Sequence, residues 1–171
     1  MVFRPFTAKW LFAFALLITL GSCRIYSFTG ASIPPGARTI SVVTFPNNAP
    51  LVNPVLGQVF TDALQDKFMK QTNLRLVDID GHLHFEGSIT GYAVSPVAIT
   101  GDDQAALNRL TISVRVIFEN ELQPENNFER SFSRFLDYDS QKTLSEVEDE
   151  LVREIVDTLV EDIFNQAVVN W

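Results

Sequence analysis

Two rhythms of apolar and polar positions run along this chain. The clearest has a period of two: Leu110, Ile112, Val114 and Val116 interleave with Arg109, Thr111, Ser113 and Arg115. That alternation predicts a strand with one buried and one wet face. Residues 39–45 are rich in β-branched side chains and predict another strand, ended by Pro46 and the asparagines that follow. Residues 74–79 predict a short strand, and Asp80-Gly81 then predicts a hairpin turn, because both positions tolerate positive φ. Beyond the turn, Leu83, Phe85 and Ile89 alternate with His82, His84 and Glu86, and the strand runs on through Tyr92 towards Ile99. Pro96 marks a sheet edge or bulge on it. Residues 100–104 are a polar loop, and residues 123–127 form a turn. The last strand spans residues 128–136. Its phenylalanines, Phe128, Phe132 and Phe135, break the period of two, which predicts a bulge near Ser133.

The second rhythm is helical. Asn53 is a good N-cap and Pro54 suits the first helical turn. Leu56, Val59, Phe60, Ala63, Leu64 and Phe68 then recur at steps of three and four, so a helix should run to about Gln71. A longer helix is predicted over 144–168. Thr143 and Glu146 have capping-box spacing, acidic residues crowd the first turns, and the apolar stripe runs from Leu144 to Phe164. The order strand, helix, strands, helix predicts an α+β domain: two helices packed on one face of a largely antiparallel four- to five-stranded sheet. Arg109, Thr111, Ser113 and Arg115 should then share the other face with His82, His84 and Glu86. That face is either simply solvated or a docking surface, and the pattern alone does not separate the two.

The N-terminus changes the picture. Arg4 and Lys9 precede eleven residues, 10–20, without a charge, and Leu20-Gly21-Ser22-Cys23 follows. Basic, apolar and small residues in that order predict a secretory signal. A cysteine after small residues resembles a bacterial lipobox, cut before Cys23, which then carries acyl chains. The apolar run falls well short of the ~20 residues that cross a bilayer. The predicted division is therefore a signal peptide over 1–22, a lipid-anchored tether over 23–37 containing Gly30, Pro34, Pro35 and Gly36, and one domain over 38–171. Removing residues 1–22 takes two cations away, leaving 11 basic and 21 acidic residues, a net charge of −10. Such a chain is unsuited to nucleic acid, whose phosphates would repel it. Cys23 is the only cysteine, so no disulfide forms within the chain.

Candidate chemistry is sparse. His82, His84 and Glu86 share a strand face but supply only three potential metal ligands, and the expectation is that no metal or other cofactor is held. Asp78-x-Asp80-Gly81 opens like a calcium loop but lacks its remaining ligands. The Asp102-Asp103 and Asp137-x-Asp139 pairs fall in predicted loops. No nucleophile elbow, zinc-protease motif or phosphate loop occurs, so no catalytic residue is assigned and an enzyme is not expected.

The lipobox, followed by the blocks at 25–30, 39–49 (TISVVTFPNNA), 84–92 (HFEGSITGY), 108–116 (NRLTISVRV), 132–138 (FSRFLDY) and 162–171 (DIFNQAVVNW), resembles the lipopolysaccharide-assembly lipoprotein family, LptE, in its Bacteroidetes-type branch. The resemblance covers nearly the whole chain after the signal. It implies an α+β domain anchored at the outer membrane by its N-terminal lipid. It also implies that the domain plugs the LptD β-barrel, assists its assembly and helps deliver lipopolysaccharide to the cell surface. Some relatives are thought to touch lipopolysaccharide through basic residues; here Arg109, Arg115, Arg130 and Arg134 lie on adjacent predicted strands and have guanidinium forks suited to phosphate. The alternative for those arginines is charge balance with neighbouring acids. The alternative function is a lipoprotein pilot or activator of another envelope machine, a secretin or a peptidoglycan synthase.

Overall fold

A computed structural model describes residues 33–51, 53–97 and 107–168. The signal peptide, Cys23, the start of the tether and the 100–104 loop lie outside the described residues. Five strands and two long helices follow in the order β1 (Thr39–Val42), α1 (Leu56–Gln71), β2 (Arg75–Leu76), β3 (Leu83–Val97), β4 (Leu107–Asn120), β5 (Phe128–Asp139) and α2 (Leu144–Val168). They form one sheet in the order β2-β1-β3-β4-β5. Strands β3, β4 and β5 make an antiparallel meander, whereas β1 pairs parallel with both of its neighbours. The α+β architecture is as expected, with two-residue β2 as the marginal fifth strand.

Both helices begin as their sequences dictate. The Asn53 side chain accepts the backbone N–H groups of Val55 and Leu56 at 3.1 and 3.2 Å, capping the turn that opens α1. At α2, the Thr143 backbone N–H and hydroxyl both donate to the Glu146 carboxylate, at 2.7 and 2.8 Å. Those bonds, the backbone one foremost, hold the Glu146 carboxyl below its usual range. The apolar stripes of both helices meet Ile40, Leu83, Phe85, Ile89, Leu110, Ile112, Val114, Val116 and Phe118 in one core. Phenylalanines link every layer of it. Ring centroids lie 5.0 Å apart for Phe164–Phe68, 5.0 Å for Phe68–Phe85, 4.7 Å for Phe85–Phe118 and 5.2 Å for Phe118–Phe128.

Two expectations are corrected. The first is the hairpin at Asp80-Gly81. Asp80 does adopt a positive φ of 54°. However, Leu76 and Leu83 both pair with Ile40, on opposite edges of β1. The intervening chain therefore crosses over β1 instead of doubling back along β2. Gly81 lies at the crossing: a Cβ there would sit 2.4 Å from the Ser41 nitrogen and 2.6 Å from the Ile40 carbonyl carbon. The Gly81 N–H donates to the Ser41 hydroxyl at 3.1 Å, which fixes the crossing to β1. Glycine is needed here for close backbone approach, not for a turn.

The second correction is the bulge. β5 pairs with β4 without a register shift from Phe128 to Asp139. Phe135 breaks the alternation because it points to the solvated face, where it is 51% exposed. The bulge lies in β3 between Ile89 and Gly91. The extra residue, Thr90, reverses the parity of β3, so Ile89 and Tyr92 both reach the core.

The two kinds of phenylalanine should separate in equilibrium unfolding. Phe68→Ala is expected to cost about 3–5 kcal/mol as a core truncation. Phe135→Ala should stay within about 1 kcal/mol of the parent, as an exposed substitution does. Comparable losses at the two sites would contradict this layering.

Candidate functional site: the open face of the sheet

With both helices on one face, the other face of β3, β4 and β5 stays open. Strict pairing through β4 brings Ser88 beside Arg115, Gly91 beside Ser113, and Ala93 beside Thr111; on the far side Glu129, Ser131, Ser133, Phe135 and Asp137 complete the surface. Its middle is low and hydroxyl-rich, and two ion pairs frame it. Arg109 donates to Asp137 at 2.6 and 2.8 Å through Nε and Nη2, a bidentate bond, and its guanidinium lies 3.7 Å from the centre of the Phe135 ring. The same bonds hold the Asp137 carboxyl below its ordinary range. Arg115 pairs with Glu129, its Nε donating at 2.8 Å, farther along the same face. These pairs are solvated and contribute little to stability. They balance both arginines, while Glu86, Glu119 and Asp139, of the same parity, leave the face acidic overall.

The four arginines therefore do not form one patch. Arg109 and Arg115 lie on the open face. Arg130 and Arg134 pair across β4 with Val116 and Ile112 and so point to the helix side. There Arg134 donates to Asp162 of α2 at 2.6 and 2.9 Å, and Arg130 bonds Gln166. Neighbouring acids balance three of the four, while Arg130 meets a neutral amide.

The histidines are tied to β1. His82 Nδ1 lies 2.5 Å from the Thr39 hydroxyl, and His84 Nδ1 lies 2.7 Å from that of Ser41. Those same hydroxyls accept the backbone N–H groups of His82 and Gly81. Glu86 approaches His84 Nε2 no closer than 4.0 Å. Among the described residues, no group of three or more His, Cys, Asp or Glu side chains is placed to hold a metal.

Two recesses escaped the sequence reading. A cavity of about 620 Å³ lies at the β1-crossing end, lined by Asp80, Gly81, His84, Glu119, Glu121 and Asn127 among others. A groove of about 410 Å³ runs between β5 and α2, with Arg130, Phe132, Arg134, Asp162, Asn165 and Gln166 along it. The second was detectable in principle, since Arg130, Phe132 and Arg134 share parity on a strand. At the opposite end of the domain, Glu148 of α2 accepts the Tyr92 hydroxyl at 2.5 Å and the Asn53 amide at 2.8 Å, joining β3 to the openings of both helices. Burial, and then the Glu148 carboxylate, hold the Tyr92 phenol above its ordinary range.

No curated protein matches the sequence. Among solved structures, a minor lipoprotein from Acinetobacter baumannii is 15% identical, with a TM-score of 0.51 over 76% of this chain and 91% of that one. A protein described as a neuraminyllactose-binding hemagglutinin homolog from Helicobacter pylori is 9% identical, with a TM-score of 0.51 over 82% of this chain and 88% of its own. At such identities these two likenesses speak to the fold alone. The family model for LptE, described as lipopolysaccharide-assembly, matches residues 37–167, which is the β-sheet and both helices almost in full. The chain belongs to the LptE lipopolysaccharide-assembly family.

Proposed function

We propose that this domain is a binding partner and plug for the outer-membrane β-barrel LptD, assisting its assembly and the delivery of lipopolysaccharide to the cell surface. The observation that carries the reading is the open sheet face. It is polar, hydroxyl-rich at its middle and acidic overall, framed by Arg109–Asp137 and Arg115–Glu129. A barrel lumen is polar, and a plug must present it a polar surface. Membership of a lipopolysaccharide-assembly family supports the same reading. The role needs binding and positioning, with no bond made or broken.

Anchoring completes the proposal. Cys23, acylated after removal of residues 1–22, would hold the domain at the outer membrane, since two or more chains anchor stably where one does not. Ile33, the first described residue, lies ten positions after Cys23 and packs against the core. Such a tether spans at most about 35 Å. The domain therefore stays within a short distance of the membrane that holds its lipid.

Purification of the tagged, full-length protein from outer membranes is expected to bring down a barrel of the LptD type, and depletion of the protein should lower surface lipopolysaccharide. Recovery of a secretin or a peptidoglycan synthase instead would overturn the assignment. Direct contact of Arg109, Arg115, Arg130 and Arg134 with lipopolysaccharide phosphates is a separate part of the proposal, and it is best tested in pairs. Converting Arg109 and Arg115 to glutamine, and separately Arg130 and Arg134, should each weaken binding of purified lipopolysaccharide several-fold, about the effect of losing bidentate phosphate bonds. Unchanged binding in both double variants would remove the arginines from any such role.

A further inference from the structure

Among the described residues, the outer edge of β5 has no strand partner. β5 is the terminal strand of the sheet and pairs only with β4, through twelve residues that carry no proline and no register shift. A long, regular edge presents a row of backbone donors and acceptors, and the charges along it decide which extended chain can use them. The groove between β5 and α2 runs along this edge, and Asp162, Asn165 and Gln166 of α2 form its floor. Its volume of about 410 Å³ is space that an added strand would fill.

The side chains along the edge restrict what can dock. Arg130, Phe132 and Arg134 face the groove, the two arginines about 13 Å apart along the strand. A second copy of β5 is disfavoured in its longest registers by like charges. In an antiparallel two-fold pairing, residues of the same parity face each other. The two registers of longest overlap, centred on Ser133 and Arg134, set Glu129 against Asp137 and Arg134 against its own copy. Each of those directly opposed pairs repels. The same arginines attract a different strand, one with a carboxylate opposite each of them and an apolar residue between, opposite Phe132. Arg130 is the better attractor, because its described contact is the neutral Gln166 amide.

We infer that the β5 edge is a strand-addition site for an extended partner segment that places acidic, apolar and acidic residues at alternate positions along the groove. Main-chain hydrogen bonds to β5 would supply affinity, and the Arg130–Phe132–Arg134 row would supply register. On the open face, Ser131 and Ser133 leave room for small polar residues of the same segment. The inference does not rest on the barrel reading, since it requires only the edge and its groove, and it competes with lipopolysaccharide phosphate for Arg130 and Arg134.

The probe is a capped synthetic peptide, Thr-Glu-Thr-Val-Thr-Glu-Thr, titrated into isotope-labelled full-length protein in detergent and followed by amide shifts and hydrogen exchange. Saturable shifts and new protection concentrated in Phe128–Asp139 are expected. Changing both arginines to glutamate should weaken binding by about tenfold or more, and the lysine-for-glutamate peptide should recover it, because opposed and matched charges across strands reverse sign. Arg130→Gln is the mild companion: its side chain is exposed, the fold should survive, and a smaller loss in the same direction is expected. The site is refuted by the absence of saturable shifts in β5, by equal binding of both peptides, or by shifts centred on another element. It is also refuted if β5 broadens with protein concentration alone, which would make a second copy the occupant. Displacement of the peptide by lipopolysaccharide micelles without protection of the β5 backbone would likewise assign the arginines to phosphate and not to a strand.

Discussion

A run of phenylalanines ties both helices to three strands. Phe164 of α2 meets Phe68 of α1, Phe68 meets Phe85 of β3, and the contact continues through Phe118 of β4 to Phe128 of β5. Tilted aromatic pairs of this kind contribute about 0.5–1.5 kcal/mol each beyond the area they bury. Their larger consequence is directional. Phe85 and Phe118 fix which face of the sheet is apolar, and every alternate residue is thereby committed to the other side. The polar face that could receive a partner is set by where the phenylalanines point.

Two local devices protect that arrangement. At one end, the chain crosses β1 at Gly81 and is pinned by hydroxyls of Thr39 and Ser41, which also meet the rings of His82 and His84. At the other, the bulge at Thr90 turns Tyr92 inward, where its hydroxyl meets Glu148 and through it the cap of α1. Between them lie the solvated ion pairs of β4 and β5 on the open face.

How much of this was legible follows from the range of each interaction. Local signals were reliable. The apolar period and capping residues placed both helices, and the alternation of β4 separated its two faces correctly. Long-range pairings were not legible. Nothing local in residues 74–83 reveals that β1 lies between two segments joined by so short a connection, so Asp80-Gly81 reads as a hairpin although only the φ of Asp80 fits one. Phe135 read as evidence for a bulge because an exposed aromatic mimics a parity change, while the real bulge is hidden by Thr90, which suits a strand on either face. The four arginines were expected on neighbouring strands and are there, but strand parity divides them between the two faces.

Family membership gives this geometry its setting, and a wedge with one sealed and one open face suits a partner that surrounds or abuts it. The most direct test places a photocrosslinking side chain at Thr111, in the middle of the open face, and another at Asp157, on the exposed side of α2, in cells carrying the full-length protein. Thr111 is expected to capture an outer-membrane β-barrel. Capture of the barrel from Asp157 alone, with Thr111 silent, would contradict the assignment of the open face.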